Sequence, residues 1–81
     1  MPLFMDYHAD LKAPKEALEQ LAKDTRARKR DAFGVRQVEY YHSDAGDGYC
    51  LLDAPSAEAV RRHHEAMGVS CGPVHEVKTL L

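Results

Sequence analysis

The chain has 81 residues, a formal net charge of −2 and five histidines. This length allows one domain with a small core, and the charge excludes a nucleic-acid binder that is basic over its whole surface. No apolar run approaches the roughly 20 residues of a membrane-spanning helix. The first residues, "MPLFMDYH", lack the basic and apolar regions of a secretory signal, so we expect a cytoplasmic protein. In that compartment Cys50 and Cys71 are more typical of free thiols or metal ligands than of a disulfide.

The first half of the chain is predicted to form a strand, a helix and a second strand. Side chains of alternating character predict the first strand over Leu3–His8. Helical spacing of apolar residues predicts a helix that begins at Lys15 and ends at Gly34. The residues with this spacing are Leu18, Leu21, Ala22 and Thr25. The segment Val35–Ser43 is rich in β-branched and aromatic residues, which indicates the second strand.

The second half is predicted to form a strand, a helix and a last strand. The turn sequence "DAGDG" leads into a strand over Tyr49–Ala54, and the two neighbouring strands form a hairpin. Ser56 is a suitable N-cap for a second helix. That helix is expected to run to about Met67 and to end at Gly68. The segment Val74–Leu81 completes the set as the fourth strand.

The order β-α-β-β-α-β predicts an α+β protein with the ferredoxin-like fold, as a single domain over residues 1–81. Right-handed crossovers then give a four-stranded antiparallel sheet in the order 4-1-3-2, with both helices on one face. The other face carries tyrosines and apolar residues that an isolated chain would leave in water. We therefore expect a homodimer in which a second subunit covers that face.

The second helix contains two adjacent histidines that cannot point in the same direction. His64 belongs to an apolar stripe that must face the sheet. The members of that stripe are Ala57, Val60, His64 and Met67. His63 lies about 100° further around the helix and is expected at the surface.

The predicted topology brings several metal-binding residue types to one edge of the sheet. His8 ends the first strand, Cys50 begins the third, His75 begins the fourth, and the last turns of the second helix bring His64 to the same edge. Imidazole and thiolate groups suit nickel, zinc, copper or iron, and carboxylates can complete the set of ligands. The nearby carboxylates are Asp6, Glu65 and Glu76. Cys71 is a further candidate ligand. Any one of these histidines, taken alone, is more often a structural residue than a ligand.

Four segments of the chain resemble a small bacterial nickel-binding family. They are "MPLFMDYH", "YCLLDAPSAEAV", "HHEAMG" and "VHEV". The resemblance covers nearly the whole chain and implies a ferredoxin-like homodimer that binds nickel, with no established enzymatic reaction. The positions that match are Asp6, His8, Cys50, His64, His75 and Glu76. The chain departs from the family at three positions. Members often have a histidine at the positions of Lys23 and Val69 and an acidic residue at the position of Arg26.

Two other functions are compatible with the sequence. A dimeric ferredoxin-like protein can be an enzyme that binds a small organic ligand, with His8, His64 or His75 as the general acid–base. It can also be an interaction domain that contacts a partner through its basic helix. Nucleic-acid binding is not expected, because no RNP-like segment accompanies the tyrosines.

Overall fold

The computed structural model of the chain describes residues 1–81 and contains six elements in the predicted order. They are β1 (Leu3–His8), α1 (Lys15–Arg26), β2 (Arg36–His42), β3 (Gly48–Asp53), α2 (Ala57–Ala66) and β4 (Val74–Val77). The strands form one antiparallel sheet in the order β2-β3-β1-β4. This arrangement confirms the predicted ferredoxin-like α+β fold and its strand order.

The two faces of the sheet follow the alternation along β1. Phe4, Asp6 and His8 are buried on the face that the helices cover, whereas Met5 and Tyr7 point the other way and are more exposed. The core is a small cluster of buried apolar residues on the covered face. It comprises Phe4, Val35, Cys50, Leu52, Ala54, Ala59 and Val60. Because this core is small, the polar side chains buried beside it have a large effect on the stability of the domain.

The prediction that the first helix continues to Gly34 is wrong. The helix α1 ends at Arg26, because Arg28 adopts the left-handed conformation with φ of 55° and the chain turns. Beyond that point the Asp31 carboxylate accepts two backbone hydrogen bonds, one of them from the N–H of Val35 at 2.9 Å. The basic segment after Arg26 therefore belongs to this turn and not to a helix face.

The second helix begins and ends as expected, but the last strand is shorter than predicted. The Ser56 hydroxyl accepts a hydrogen bond from the N–H of Ala59 at 3.1 Å and caps α2. The strand β4 ends at Val77 instead of Leu81, because Val77 pairs with Leu3, the first residue of β1. Beyond this pair the neighbouring strand offers no further backbone partner.

The uncovered face of the sheet carries exposed aromatic side chains. Tyr7, Tyr41 and Tyr49 are 47%, 54% and 40% exposed, and the rings of Tyr7 and Tyr49 lie 5.0 Å apart. Neither helix has the length and apolar character that a membrane crossing requires. The tyrosines thus form an apolar surface on a domain whose other face is occupied by the helices.

Candidate metal centre

Four buried side chains from three elements converge beneath α2. Asp6 and His8 share a face of β1 because they are two residues apart, and Cys50 of β3 pairs directly with Asp6. His64 enters from above, because it lies on the inward stripe of α2. The four residues are between 1% and 8% exposed, so the cluster lies inside the domain at the edge of its core.

The potential ligand atoms of this cluster are in close contact. The Asp6 Oδ2 atom lies 2.7 Å from His64 Nε2 and 2.8 Å from His8 Nε2. The two Nε2 atoms are 3.1 Å apart. Including a ligand atom of Cys50, the four groups offer atoms that all lie within 4.8 Å of one another. The four residues are therefore close enough to share one ion if their side chains move apart slightly.

Both carboxylate oxygens of Asp6 are buried, and the Oδ2 atom is paired with two imidazole Nε2 atoms and not with a backbone N–H. The Nδ1 atom of His64 donates to the carbonyl oxygen of Val60 at 2.8 Å, so in the neutral ring Nε2 carries a lone pair. A lone pair and a carboxylate at 2.7 Å repel each other unless a cation interacts with both. The site therefore requires a positive charge, which either a proton on the imidazole or a metal ion supplies.

The pKa values of three of these groups are shifted by burial and by their neighbours. Burial alone would raise the pKa of Asp6, but its contacts with His64 and His8 outweigh burial and lower it. For His64, burial acts to lower the pKa, while Asp6 and the Val60 carbonyl raise it overall. Burial, together with the charge of Asp6, raises the pKa of the Cys50 thiol to about 12. Without a metal, Cys50 is thus a neutral thiol beside an ion pair.

The chemistry of this set of side chains fits a divalent transition-metal ion. Two imidazole nitrogens, one carboxylate and one thiolate are ligands that nickel, zinc and copper accept. The hydrogen bond from His64 to Val60 supplies the outer contact that orients a metal-binding imidazole. A metal ion would replace protons at His64 and Cys50, which satisfies the Asp6 oxygens at the same time.

The structure separates the remaining predicted residues from this cluster. His75 pairs with Met5 on the uncovered face and is exposed. Glu76 pairs with Phe4 on the covered face but is also exposed. Cys71 is partly exposed in the loop before β4, where its thiol contacts the carbonyl oxygen of Gly72. Of the six predicted metal residues, the structure therefore brings four together and leaves His75 and Glu76 apart.

The prediction that His63 lies at the surface is wrong. Its side chain is only 14% exposed, and its Nδ1 atom donates to the Asp31 carboxylate at 2.6 Å. Burial acts to raise the pKa of Asp31, but hydrogen bonds from backbone N–H groups and from His63 lower it. Sequence reasoning missed this pair, because it placed Asp31 within a helix and not in the turn that follows it.

A ferredoxin-like domain with a buried Asp-His-Cys-His cluster defines a candidate metal-binding protein. The family model described as "Nickel responsive protein SCO4226-like" matches residues 4–77, and the chain belongs to this family. The crystal structure of SCO4226 from Streptomyces coelicolor A3(2) is similar, with 31% sequence identity and a TM-score of 0.74 over 98% of this chain and 99% of that chain. No curated protein matches the chain significantly. The resemblance seen in the sequence is confirmed.

Proposed function

We propose that this protein binds one nickel ion per chain through Asp6, His8, Cys50 and His64. The observation that carries the proposal is the contact of Asp6 Oδ2 with two imidazole Nε2 atoms at 2.7 and 2.8 Å, with no backbone N–H bonded to either oxygen of Asp6. A buried carboxylate without a cation beside it is costly in a domain of this size. A cation among these atoms removes that cost.

The choice of nickel rests on the family and not on the ligands. The four residues also suit zinc, copper or iron. The description of the matching family names nickel responsiveness, so nickel is the first ion to test. We propose that the protein holds or buffers the ion, because all four ligands are buried.

We further propose that the protein acts in the cytoplasm as a homodimer. The support for the dimer is the uncovered sheet face, where Tyr7, Tyr41 and Tyr49 are each at least 40% exposed. A second copy of the same face would bury these rings against one another, as aromatic side chains in stable interfaces commonly do. The four proposed metal ligands lie on the opposite side of the sheet and all belong to one chain.

The alternative of a general acid–base enzyme has weaker support. Of the three histidines proposed for that role, His75 is exposed on the face opposite the helices. His64 has neither ring nitrogen free, because Nδ1 donates to Val60 and Nε2 contacts Asp6, and His8 contacts Asp6 through Nε2. A metal ion at these atoms and a general base at the same atoms exclude each other.

Titration of chelator-stripped protein with Ni²⁺ tests the proposal, with His64→Ala and His75→Ala as matched variants. Both remove one imidazole, but only His64 belongs to the cluster. Removing a direct ligand is expected to weaken binding more than the 10- to 100-fold that is typical of outer contacts, so we expect a loss of roughly 100-fold or more for His64→Ala. His75→Ala should bind nickel within about threefold of the wild type. Equal affinities of the two variants would exclude the proposed site.

The homodimer has its own test, which does not depend on the metal. Tyr49→Asp places a charge on the uncovered face between Tyr7 and Tyr41, the residues that pair with Tyr49 on the neighbouring strands. Sedimentation equilibrium is expected to give twice the chain mass for the wild type and a single chain for the variant. A wild-type protein that sediments as a single chain at high micromolar concentration would contradict the dimer.

A further inference from the structure

A cavity of about 260 Å³ lies between α1 and the sheet, directly beside the metal cluster. Most of the residues that line it are apolar and come from the segment before α1, from α1 itself and from the end of α2. The side chains of His8, Cys50 and His64 form part of the same wall, whereas Asp6 does not. The nitrogen and sulfur ligands therefore border the cavity, and the carboxylate lies behind them.

The helix α1 packs loosely over this cavity. None of its residues is fully buried, and its inward apolar residues Leu18 and Leu21 remain partly exposed. The helix α2, by contrast, buries three residues against the sheet. An amphipathic helix normally buries its apolar stripe, so the space beneath α1 leaves apolar surface without a partner. An apolar molecule in the cavity would supply that partner.

We propose that this cavity binds a small organic molecule with an apolar body and a single nitrogen or sulfur donor that reaches the metal. A cavity of roughly 150 Å³ with aliphatic walls holds benzene, so this larger space suits molecules of roughly 8–12 non-hydrogen atoms. The apolar lining selects the body of the ligand, and the border formed by His8, Cys50 and His64 selects its donor. The donor part of the inference rests on the proposed metal site, but the apolar part does not.

The polar groups of the cavity wall support a ligand with few other polar atoms. The side-chain amide of Gln37 already donates to the carbonyl oxygen of Glu39 at 2.7 Å. The Nδ1 atom of His63 donates to Asp31, whereas its Nε2 atom is buried without a partner. A ligand with several hydroxyl or charged groups would lose its hydration here and gain few partners. Sugars, nucleotides and polycarboxylates are therefore disfavoured as occupants.

The test compares 4-ethylpyridine with ethylbenzene, which have the same shape and differ in one ring atom. In metal-free protein both are expected to bind through the apolar lining, and ethylbenzene at least as tightly as 4-ethylpyridine, because the ring nitrogen loses its hydration there. Methyl NMR signals of Leu18 and Leu21 should shift with both molecules. In nickel-loaded protein 4-ethylpyridine should bind at least about tenfold more tightly than ethylbenzene, and it alone should change the visible absorption of the nickel.

Leu18→Trp places a larger side chain at the cavity wall, with Leu80→Trp as the matched control at a residue that is 98% exposed. The first variant should weaken both probes at least about tenfold, and the control should leave both unchanged. Absence of any shift at Leu18 and Leu21 in metal-free wild type would overturn the inference, as would equal affinities of the two probes for nickel-loaded protein. Protein that binds both probes but no nickel would overturn the donor part together with the proposed function, while the apolar site would stand.

Discussion

The thiol of Cys50 gives the sharpest prediction about metal binding, because its pKa is raised to about 12 by burial and by the charge of Asp6. A thiol with this pKa is fully protonated between pH 7 and pH 8.5. Metal coordination requires the thiolate, so each ion that binds to Cys50 must displace one proton over this whole range.

The displaced proton determines how strongly the affinity depends on pH. One proton released per ion raises the apparent association constant tenfold per pH unit, which is about thirtyfold from pH 7 to pH 8.5. Cys50→Ala removes this proton but retains both imidazoles and Asp6. The variant should therefore release about one proton fewer per ion, and its affinity should rise less steeply with pH than that of the wild type.

Calorimetric titration of Ni²⁺ in buffers of different ionisation enthalpy measures the released protons directly. At pH 8.5 we expect about one more proton per ion for the wild type than for Cys50→Ala. Cys50→Ser is a matched variant, because a hydroxyl of similar size does not ionise in this range. If wild type and Cys50→Ala release the same number of protons, Cys50 is not a ligand and the set is reduced to Asp6 and the two histidines.

Three further predictions concern the metal-free protein. The lowered pKa of Asp6 stabilises the fold above its ordinary pKa of 3.8 and is lost as the pH falls, whereas the raised pKa of His64 stabilises it below 6.5 and is lost as the pH rises. Thermal unfolding should therefore show greatest stability between about pH 4 and 6.5, and an unchanged midpoint from pH 6 to 8.5 would contradict the ion pair. Leu52→Ala should lower the free energy of unfolding by about 2–5 kcal/mol, because Leu52 is fully buried, and Leu80→Ala should leave it unchanged in urea titrations. Asp31→Ala removes the acceptor of two backbone N–H groups and of His63, so a loss of about 1–3 kcal/mol is expected; a loss below 0.5 kcal/mol, roughly the scatter of surface substitutions, would show that the turn does not depend on this carboxylate.

Most of the proposed metal site could be predicted from the sequence because local periodicity determines which way its members point. The spacing of two places Asp6 and His8 on one face of a strand, and the helical spacing with Val60 turns His64 inward. The order of the elements then determines that β3, with Cys50, lies next to β1. These rules need no knowledge of the exact pairing between strands.

The position of His75 depends on information that the local sequence does not contain. A shift of one residue in strand pairing moves every side chain to the other face of a sheet. Here the observed register pairs His75 with Met5 and directs it away from Asp6. The short strand β4 has no turn at its start that would reveal this register.

The residue at which α1 ends could not be predicted from the local sequence either. The residues after Arg26 are good helix formers, and nothing in their composition indicates the left-handed conformation of Arg28. The turn is stabilised by contacts with distant residues, since Asp31 contacts His63 and Arg30 contacts Asp53. Tertiary interactions of this kind outweigh helix propensity, which is a weak effect at each position.

The most direct test of the proposed centre is an anomalous difference map from crystals of the nickel-loaded protein, recorded at the nickel absorption edge. The proposed function predicts one peak per chain, about 2.0–2.3 Å from ligand atoms of Asp6, His8, Cys50 and His64. A peak elsewhere, for example at His75 on the uncovered face, or a cluster without a peak in protein shown to bind nickel, would contradict it.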